Sequence, residues 1–588
     1  MAMTETGTNY RGLRIAFWFV ALVLGASNAW AARFTINPDG ISYLDMGDAY
    51  WRGDWHMAVN AYWSPFYSWL LGLFLKELKP SAYWEYPLAH LVNFLIYVAA
   101  LACFEFFLRA FIRYRRASGK EFDEAGEVTL PEWAWWALGY SLFIWTSLVL
   151  ITVRLVTPDM CVAGFVYLAT GLILQVRSGA ASRRTFVLLG VTLGLAYLAK
   201  AVMFPIAFVF LAVALLSLGS IRKAAPQIVI SALTFAVIAC PFMCALSRAK
   251  GRITFGDSGR LMYAGCIDGV DFLFPGDTGK LQCVGEGLPE GVDETEFTDG
   301  RKLLHPVSRI FDTPPTYQFK GPVGGTYPFW YDPSYWQEGI KPRFDLGGQE
   351  TAAMRGLQSF RLLYLGVFLQ LNVTTGLCIL YLWAPKASLC IERALANWPL
   401  MLVGFSALGL YTLVFVVYRY IAPFVLVLWV GAFSGVWMPE SKGSRTLMAV
   451  VSFCIAATTI GSAGSYAVRN LLASRGAAPV YWQAATALKE LGIRSGEKLA
   501  VVVEEPNGGG VTFVARLART QIIAQVNRPD HFFSAPSTTQ TQVLQAIANT
   551  GAQAILTVGE PPRSAPEIYW ERLGTTEYYL HHLKEGHP

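Results

Sequence analysis

Long apolar segments separated by short polar connections fill most of the first 470 residues. A membrane-spanning helix needs about 20 predominantly apolar residues, with a range of roughly 17–25. The fifth and sixth segments are short and meet at Lys200, so we interpret them as a hairpin with Lys200 near its tip; one broken re-entrant element is the alternative. The pattern predicts an α-helical polytopic membrane protein with about 11 spans, at residues 14–32, 87–110, 132–153, 159–176, 185–200, 203–219, 226–246, 358–384, 397–417, 421–437 and 446–467.

Basic residues mark every second connection between these segments. Because Lys and Arg concentrate in cytoplasmic loops, this predicts that the N-terminus lies on the cytoplasmic side of the membrane and the C-terminus on the extracytoplasmic side. No small-residue cleavage site is clear behind the first segment, so we expect it to be retained as a span. The basic residues that set this orientation are Arg113, Arg115, Arg116, Arg177, Arg183, Arg184, Arg222, Lys223, Lys386, Arg393, Lys442 and Arg445.

Two long loops fall on the predicted external side, at residues 33–86 and 247–357. Within the first loop, residues 64–78 (SPFYSWLLGLFLKEL) are too few to span a membrane and predict an amphipathic helix lying in its interface. The second loop is rich in Gly, Pro and aromatic residues. We therefore assign residues 1–470 to a transmembrane module that carries both loops.

Residues 471–588 have the pattern of a soluble domain. Alternating strands and helices are typical of a parallel α/β fold. We predict a small extracytoplasmic α/β domain with helices at 481–491, 511–517 and 539–549 and strands at 499–504, 521–526 and 554–558.

The composition supports a membrane protein. Of the 588 residues, 54% are hydrophobic and 15% are charged, whereas soluble domains carry roughly 25% charged residues. The net charge of +6 does not favour nucleic-acid binding, because the Lys and Arg residues cluster in short loops between apolar segments. The nine cysteines are scattered and show no pair of CxxC spacings, so they predict no zinc site.

Two cysteines, Cys266 and Cys283, lie in the polar part of the second predicted external loop. Disulfides persist in extracytoplasmic compartments, so we predict a bond between these two residues. Peptide mapping of the unreduced protein should recover them in one cross-linked species, and recovery of two free thiol peptides would contradict the bond.

Ionisable side chains gather at the predicted outer ends of the spans. Asp39 follows the first span, Arg154 and Asp159 lie between the third and fourth, Lys200 is at the hairpin tip, and Arg419 lies between the ninth and tenth. Charged groups near membrane depth are costly and are usually functional or paired. This mixture suits a sugar-phosphate lipid, because a carboxylate can accept a proton from an acceptor hydroxyl while cations stabilise the departing phosphate.

Five short motifs carry a more specific resemblance. In order they are Asn37-Pro-Asp-Gly-Ile-Ser-Tyr43, Tyr62-Trp-Ser-Pro-Phe-Tyr67, Thr157-Pro-Asp159, Leu198-Ala-Lys-Ala201 and Tyr418-Arg-Tyr-Ile-Ala-Pro423. Together, over roughly residues 10–440, they resemble superfamily C membrane glycosyltransferases, in particular the bacterial relatives of the protein O-mannosyltransferases and of the lipid A aminoarabinose transferase. The resemblance implies a polyprenyl-phosphate sugar donor and transfer with inversion to an extracytoplasmic glycan, lipid or protein.

The resemblance also implies roles for individual residues. Asp39 matches the first-loop aspartate, the expected catalytic base, and Asp159 matches a second acidic position. Lys200 and Arg419 occupy positions suited to the lipid phosphate, and Arg154 is a weaker candidate for that role. We add Tyr43, Trp63, Trp330 and Tyr331 as candidate substrate-binding residues. The O-mannosyltransferases carry an adjacent Asp-Glu pair, whereas Gly40 follows Asp39 here, which weakens the case for a protein substrate.

Each assignment has a plainer alternative. Asp39 can cap a helix beginning at Gly40, Asp159 can be a favourable charge at a helix N-terminus, and Lys200 and Arg419 can snorkel to the interface. The tryptophans and tyrosines of the second loop can simply bury that loop on the membrane domain. We expect two further acids of the first loop, Asp45 and Asp48, to form a solvated helix face.

Two other functions stay open at this point. A lipid or glycan transporter (a flippase) and a non-catalytic envelope receptor are both compatible with many spans and a soluble domain. The charges gather at span ends rather than at the midplane, which favours the enzyme. The sequence leaves open the sugar, the acceptor, the carrier length and the requirement for a divalent cation, since isolated carboxylates do not establish a metal site.

Overall fold

The structure is a computed structural model that describes residues 10–122, 127–268, 302–366, 368–503, 510–562 and 568–583. Cys283, and with it the bond predicted to Cys266, lies outside the described residues. The helices in chain order are α1 (Arg11–Ala31), α2 (Pro38–Arg52), α3 (Trp55–Ala58), α4 (Pro65–Leu78), α5 (Glu85–Phe122), α6 (Glu132–Trp145), α7 (Asp159–Arg177), α8 (Arg183–Ala199), α9 (Met203–Ser217), α10 (Ile221–Lys250), α11 (Ser258–Cys266), α12 (Pro328–Tyr331), α13 (Pro333–Trp336), α14 (Leu346–Gly366), α15 (Phe368–Trp383), α16 (Ala387–Ala396), α17 (Trp398–Thr412), α18 (Tyr418–Phe433), α19 (Lys442–Ala473), α20 (Val480–Glu490), α21 (Val511–Ala518), α22 (Pro529–Ser534) and α23 (Ser537–Ala548).

The membrane module is α-helical, as predicted. Within the described ranges, six helices are long and apolar enough to cross a membrane, and a seventh is added if the pair 372–383 and 387–396, bent by 119°, counts as one span. Three shorter apolar helices, α9, α17 and α18, coincide with further predicted segments. α6 continues as a π-helix over Thr146–Ile151. Length and composition therefore support six or seven of the eleven predicted spans as full-length helices.

The apolar helices divide into an inner and an outer set. The most apolar stretch of α6 is 94% buried and that of α7 is 83% buried, whereas that of α10 is 17% buried. α1, α10 and α19 expose large apolar side chains, including Phe19, Val237 and Phe453. Contiguous exposed apolar surface of this kind is unfavourable in water and indicates the face presented to lipid.

The helix predicted at residues 64–78 is present as α4, which begins with Pro65 at its first position, where a missing N–H is not needed. α4 packs against α2 through glycines. A Cβ on Gly72 would lie 2.5 Å from the carbonyl oxygen of Gly47, so the two helices approach more closely than any larger residue permits. The first loop thus contains two closely packed helices, α2 and α4.

The strands in chain order are β1 (Glu127–Thr129), β2 (Ser308–Phe311), β3 (Thr316–Gln318), β4 (Trp437–Pro439), β5 (Lys498–Val502), β6 (Gln521–Val526), β7 (Ala554–Val558), β8 (Glu571–Arg572) and β9 (Tyr578–His582). The C-terminal domain is built on a seven-stranded sheet in the order β2-β3-β6-β5-β7-β9-β8. The three predicted strands, β6, β5 and β7, are parallel neighbours at its centre. The outer strands are antiparallel, and β2 and β3 come from the second loop, outside residues 471–588. The sheet therefore joins the second loop to the C-terminal domain.

Candidate active site

Four charged side chains from four different helices or helix ends meet in one cluster. Lys200 Nζ lies 2.6 Å from Asp159 Oδ1. The Arg419 guanidinium bridges the two acids, with Nε 3.2 Å from Asp159 Oδ2 and Nη2 3.5 Å from Asp39 Oδ2. The convergence predicted from the sequence is therefore present. We call Asp39, Asp159, Lys200 and Arg419 the charged cluster.

Asp39 and Asp159 are held near each other by the connections that precede their helices. The side-chain oxygen of Asn37, just before α2, accepts a hydrogen bond from Val156 N at 2.8 Å. On α5, Asn93 Nδ2 donates to Leu155 O at 2.8 Å, and His90 Nε2 lies 2.8 Å from Thr35 O. These bonds fix the chain ahead of α2 to the chain ahead of α7.

Gly40 permits this close approach. A Cβ at residue 40 would lie 2.8 Å from Val156 Cβ and 3.0 Å from Ile36 Cγ1, closer than packed carbon atoms tolerate. A glycine is therefore needed directly after Asp39, at the position where the O-mannosyltransferases carry an acid.

The helix-cap alternative for Asp39 does not describe the structure. α2 begins at Pro38 with Asn37 in the cap position, and no side chain caps it through a hydrogen bond. The Asp39 carboxylate instead faces Arg419 and accepts a hydrogen bond from the Trp330 indole N–H at 3.3 Å.

The two cations lie at breaks between helices. Lys200 has an extended backbone between α8 and α9, consistent with the predicted hairpin. Arg419 is in the first turn of α18, where the helix dipole disfavours a positive charge, so the two acids compensate for its position. Tyr420 packs against both cations, with its ring centre 3.2 Å from Lys200 Nζ and its hydroxyl 3.3 Å from Arg419 Nη2.

The charged cluster contains two acids and two cations, and it is partly accessible to solvent. Asp159 is 3% exposed, whereas Asp39, Lys200 and Arg419 are 21–23% exposed. Burial raises the pKa of Asp39 above its usual value, and Asp159 adds to this; Arg419, the Trp330 indole and Lys200 oppose the rise. Asp39 is thus the more accessible acid and a stronger base than an exposed aspartate.

Aromatic side chains form one wall of the site. Trp330 is joined to the first loop because its carbonyl oxygen accepts hydrogen bonds from Ser42 Oγ at 3.0 Å and from Trp63 Nε1 at 3.2 Å. The Trp63 ring lies edge-on to Tyr43 at 5.2 Å and to Trp330 at 6.0 Å. Tyr331 takes a different direction, since its hydroxyl donates a hydrogen bond to Met57 O. Of the four predicted aromatics, Trp330 contacts Asp39 directly, Trp63 packs against Trp330, and Tyr43 packs against Trp63.

Arg154 is not brought into the charged cluster. Its guanidinium donates to Asn470 Oδ1 at 2.8 Å and approaches the Tyr466 hydroxyl at 3.5 Å, both on α19. Asn470 in turn donates to Asn28 on α1. These contacts support a role for Arg154 in joining α19 to α1.

The prediction that Asp45 and Asp48 form a solvated helix face is wrong. Asp45 is 7% exposed and Asp48 is 23% exposed, and both form ion pairs with Arg516 of the C-terminal domain. Local sequence patterns could not indicate Arg516 as the partner, because it is more than 460 positions away in the chain.

Three residues that support the site were missed by the sequence analysis. Tyr420 stands inside a quoted motif but was given no role, and His90 and Asn93 are polar residues inside an apolar span. Burying a polar side chain in a membrane span costs free energy unless the side chain has a hydrogen-bond partner. The presence of His90 and Asn93 in an apolar span was therefore a signal in the sequence that both have partners.

Metal binding was left open by the sequence. Within the described ranges, no three His, Cys, Asp or Glu side chains are grouped so that they could hold a metal ion.

No family model matches the chain, and no curated protein matches it. Solved structures do match. ArnT from Cupriavidus metallidurans is 13% identical in its apo state, with 97% of this chain and 98% of that chain covered and a TM-score of 0.41. The same enzyme bound to undecaprenyl phosphate is 14% identical, with coverages of 98% and 99% and a TM-score of 0.43.

The Archaeoglobus fulgidus oligosaccharyltransferase tethered to an acceptor peptide also matches, at 13% identity and a TM-score of 0.48 over 94% of this chain and 70% of that chain. ArnT and this enzyme are superfamily C glycosyltransferases, the class that the sequence motifs resemble. At these identities and TM-scores, a match assigns no role to any residue, so the roles proposed below come from the geometry of this chain.

Proposed function

We propose that this protein is a membrane glycosyltransferase that moves a sugar from a polyprenyl-phosphate carrier to an acceptor hydroxyl, with inversion at the anomeric carbon. The observation that carries the proposal is the charged cluster, in which one accessible acid, Asp39, lies beside two accessible cations, Lys200 and Arg419. The basic loops predict that this site faces the extracytoplasmic side of the membrane, and the resemblance of the motifs to bacterial enzymes implies that this is the inner membrane of a bacterium.

Asp39 acts as the general base. The acceptor hydroxyl attacks the anomeric carbon, the new glycosidic C–O bond forms, and the hydroxyl proton passes to the Asp39 carboxylate. The elevated pKa of Asp39 helps this step, since a base is more effective as its pKa approaches the working pH.

Lys200 and Arg419 bind the carrier phosphate. As the bond between the anomeric carbon and the phosphate oxygen breaks, its electron pair stays on that oxygen, and the phosphate gains one negative charge. Two cations placed beforehand stabilise this charge without reorganising. Asp159 holds both cations in place through its ion pairs.

The activity can be tested in cells. A strain lacking the gene should accumulate a polyprenyl-phosphate-linked sugar, detectable by thin-layer chromatography of lipid extracts. Complementation with the wild-type gene should eliminate the accumulated lipid, and complementation with a gene encoding Asp39→Asn should not. If no such lipid accumulates, or if both genes remove it equally, the proposed reaction is wrong.

The pKa of Asp39 should be visible in the pH profile. Because the base must be ionised, transfer falls as pH drops through that pKa, and the elevated value moves this acid limb to higher pH than for an exposed aspartate. Trp330→Phe removes a hydrogen bond that lowers the pKa, so its acid limb should lie at still higher pH. The matched control is Trp63→Phe, which removes an indole bond to the Trp330 carbonyl and none to Asp39. If the acid limbs of Trp330→Phe and Trp63→Phe lay at the same pH, the assignment of Asp39 as the base would be contradicted.

A further inference from the structure

One arginine of the C-terminal domain is buried among three carboxylates of the membrane module. Arg516, on α21, is 4% exposed. Its guanidinium lies 2.6 Å from Asp45 Oδ1, 2.7 Å from Asp48 Oδ2 and 2.6 Å from Glu85 Oε1. The first two acids are on α2, three residues apart and so on one face of the helix, and Glu85 begins α5.

Arg519, one turn further along, adds a second cation. It pairs with Glu85 and lies 3.3 Å from Asp48 Oδ2. The group thus holds three acids and two arginines, and Arg516 touches all three acids. Without it, three carboxylates would face a single, 40% exposed arginine, and their repulsion would act directly on α2.

The acids that Arg516 binds share a helix and a loop with Asp39. Asp39 is in the first turn of α2, and Asp45 and Asp48 are on the next two turns. Asp45 Oδ2 also accepts the Thr326 backbone N–H at 2.6 Å, and four residues later Trp330 bonds to Asp39. One set of ion pairs therefore fixes both the helix that carries Asp39 and the segment 326–330 that donates to it.

The C-terminal domain also contacts the rest of the protein at places other than Arg516. α21 precedes β6, the strand that pairs with β3 of the second loop. The Tyr86 hydroxyl, next to Glu85, donates to Phe513 O on α21 at 2.7 Å. The C-terminal domain therefore contacts the start of α5, the middle of α2 and the second loop through buried bonds.

We propose that Arg516 is a positioning residue that holds α2, and with it Asp39, in register with Arg419 and Trp330. The C-terminal domain is then part of the active unit. The inference rests on the proposed function for its kinetic consequence, but the structural attachment can be measured without catalysis.

The test compares Arg516→Met with Arg516→Lys in the full-length protein reconstituted in nanodiscs. The matched control is Arg14→Met, which removes an ion pair to the buried Glu105. Glu105 lies 20 residues after Glu85 on the same helix, about 30 Å away at 1.5 Å per residue. The control therefore disturbs a comparable buried acid far from α2.

Hydrogen exchange gives the first readout. Arg516→Met should speed backbone exchange in residues 38–52 and 326–331, Arg516→Lys should restore part of the protection, and Arg14→Met should leave both segments unchanged. Unchanged exchange in Arg516→Met would overturn the proposal, whatever reaction the protein catalyses.

Kinetics give the second readout. A displaced Asp39 should lower kcat by about 100-fold, the usual effect of a shift near 1 Å, with little change in donor KM. The charged groups around Asp39 are Arg419, Lys200 and Asp159, so loosening its contact with Arg419 should also move the acid limb to higher pH. If exchange rises while kcat and the acid limb stay normal, Arg516 is only structural. If Asp39→Asn is itself fully active, the proposed function fails, and the exchange result still reports the attachment.

Discussion

Asp39→Asn is expected to lower turnover by about 10²–10⁴-fold, the usual contribution of a general base, while binding of the donor stays near normal. Asparagine has almost the same shape as aspartate and can still accept the Trp330 hydrogen bond, so the site should keep its structure. It loses the negative charge and cannot take the acceptor proton. The measurement is transfer from a polyprenyl-phosphate sugar by the reconstituted protein, with donor binding measured separately.

A neighbouring acid provides the control for this substitution. Asp54 is an exposed residue of the same loop, and its side chain caps α3 by accepting the Met57 N–H. Asp54→Asn should keep turnover within about twofold, since surface substitutions away from such sites have small effects. If Asp39→Asn retained near-normal turnover, the base would have to be Asp159 or another acid.

Lys200→Met should weaken binding of undecaprenyl phosphate by about 10- to 100-fold, which corresponds to roughly 1.5–3 kcal/mol for a hydrogen bond to a charged group. Arg419→Met should do the same and also raise the pKa of Asp39, because Arg419 opposes the effect of burial. Binding can be measured by native mass spectrometry of the protein with this lipid as the probe.

A second variant separates phosphate binding from the other role of Lys200. Removing Lys200 leaves the negative charge of the Asp159 carboxylate less fully neutralised. That charge alone would repel a phosphate, even if Lys200 never touched it. In Lys200→Met/Asp159→Asn that charge is removed as well. Binding should remain weak in the double variant if Lys200 touches the phosphate. Full recovery would mean that Lys200 serves only to neutralise Asp159. Lys76→Met, on the exposed side of α4, is the surface control.

The sequence predicted those features that depend on neighbouring residues. The apolar segments predicted most helix positions to within a few residues, since a membrane helix must satisfy its backbone bonds within itself. The exceptions are α5, which continues to Phe122, and the span predicted at 358–384, which falls on two helices, α14 and α15. The central strands β5, β6 and β7 followed from alternation with helices. The charged cluster followed because Asp39, Asp159, Lys200 and Arg419 stand at the ends of predicted spans on one side of the membrane.

Features that depend on distant partners were not predicted. Asp45 and Asp48 have the spacing of a solvated helix face, and only the folded chain brings Arg516 against them. β2 and β3 are short and lie in a loop rich in Gly and Pro, so neither their pairing with each other nor that of β3 with β6 left a periodic signal. Arg154 stands near Asp159 in the sequence, but its side chain turns to α19.

The position of the bound donor phosphate is the most direct test of this account. A structure determined with a non-hydrolysable polyprenyl-phosphate sugar should place phosphate oxygens within about 3 Å of Lys200 Nζ and of the Arg419 guanidinium, the distance of a charge-assisted hydrogen bond. The anomeric carbon should then face Asp39. A phosphate bound beside Arg154 and α19, or a sugar turned away from Asp39, would contradict the proposed active site.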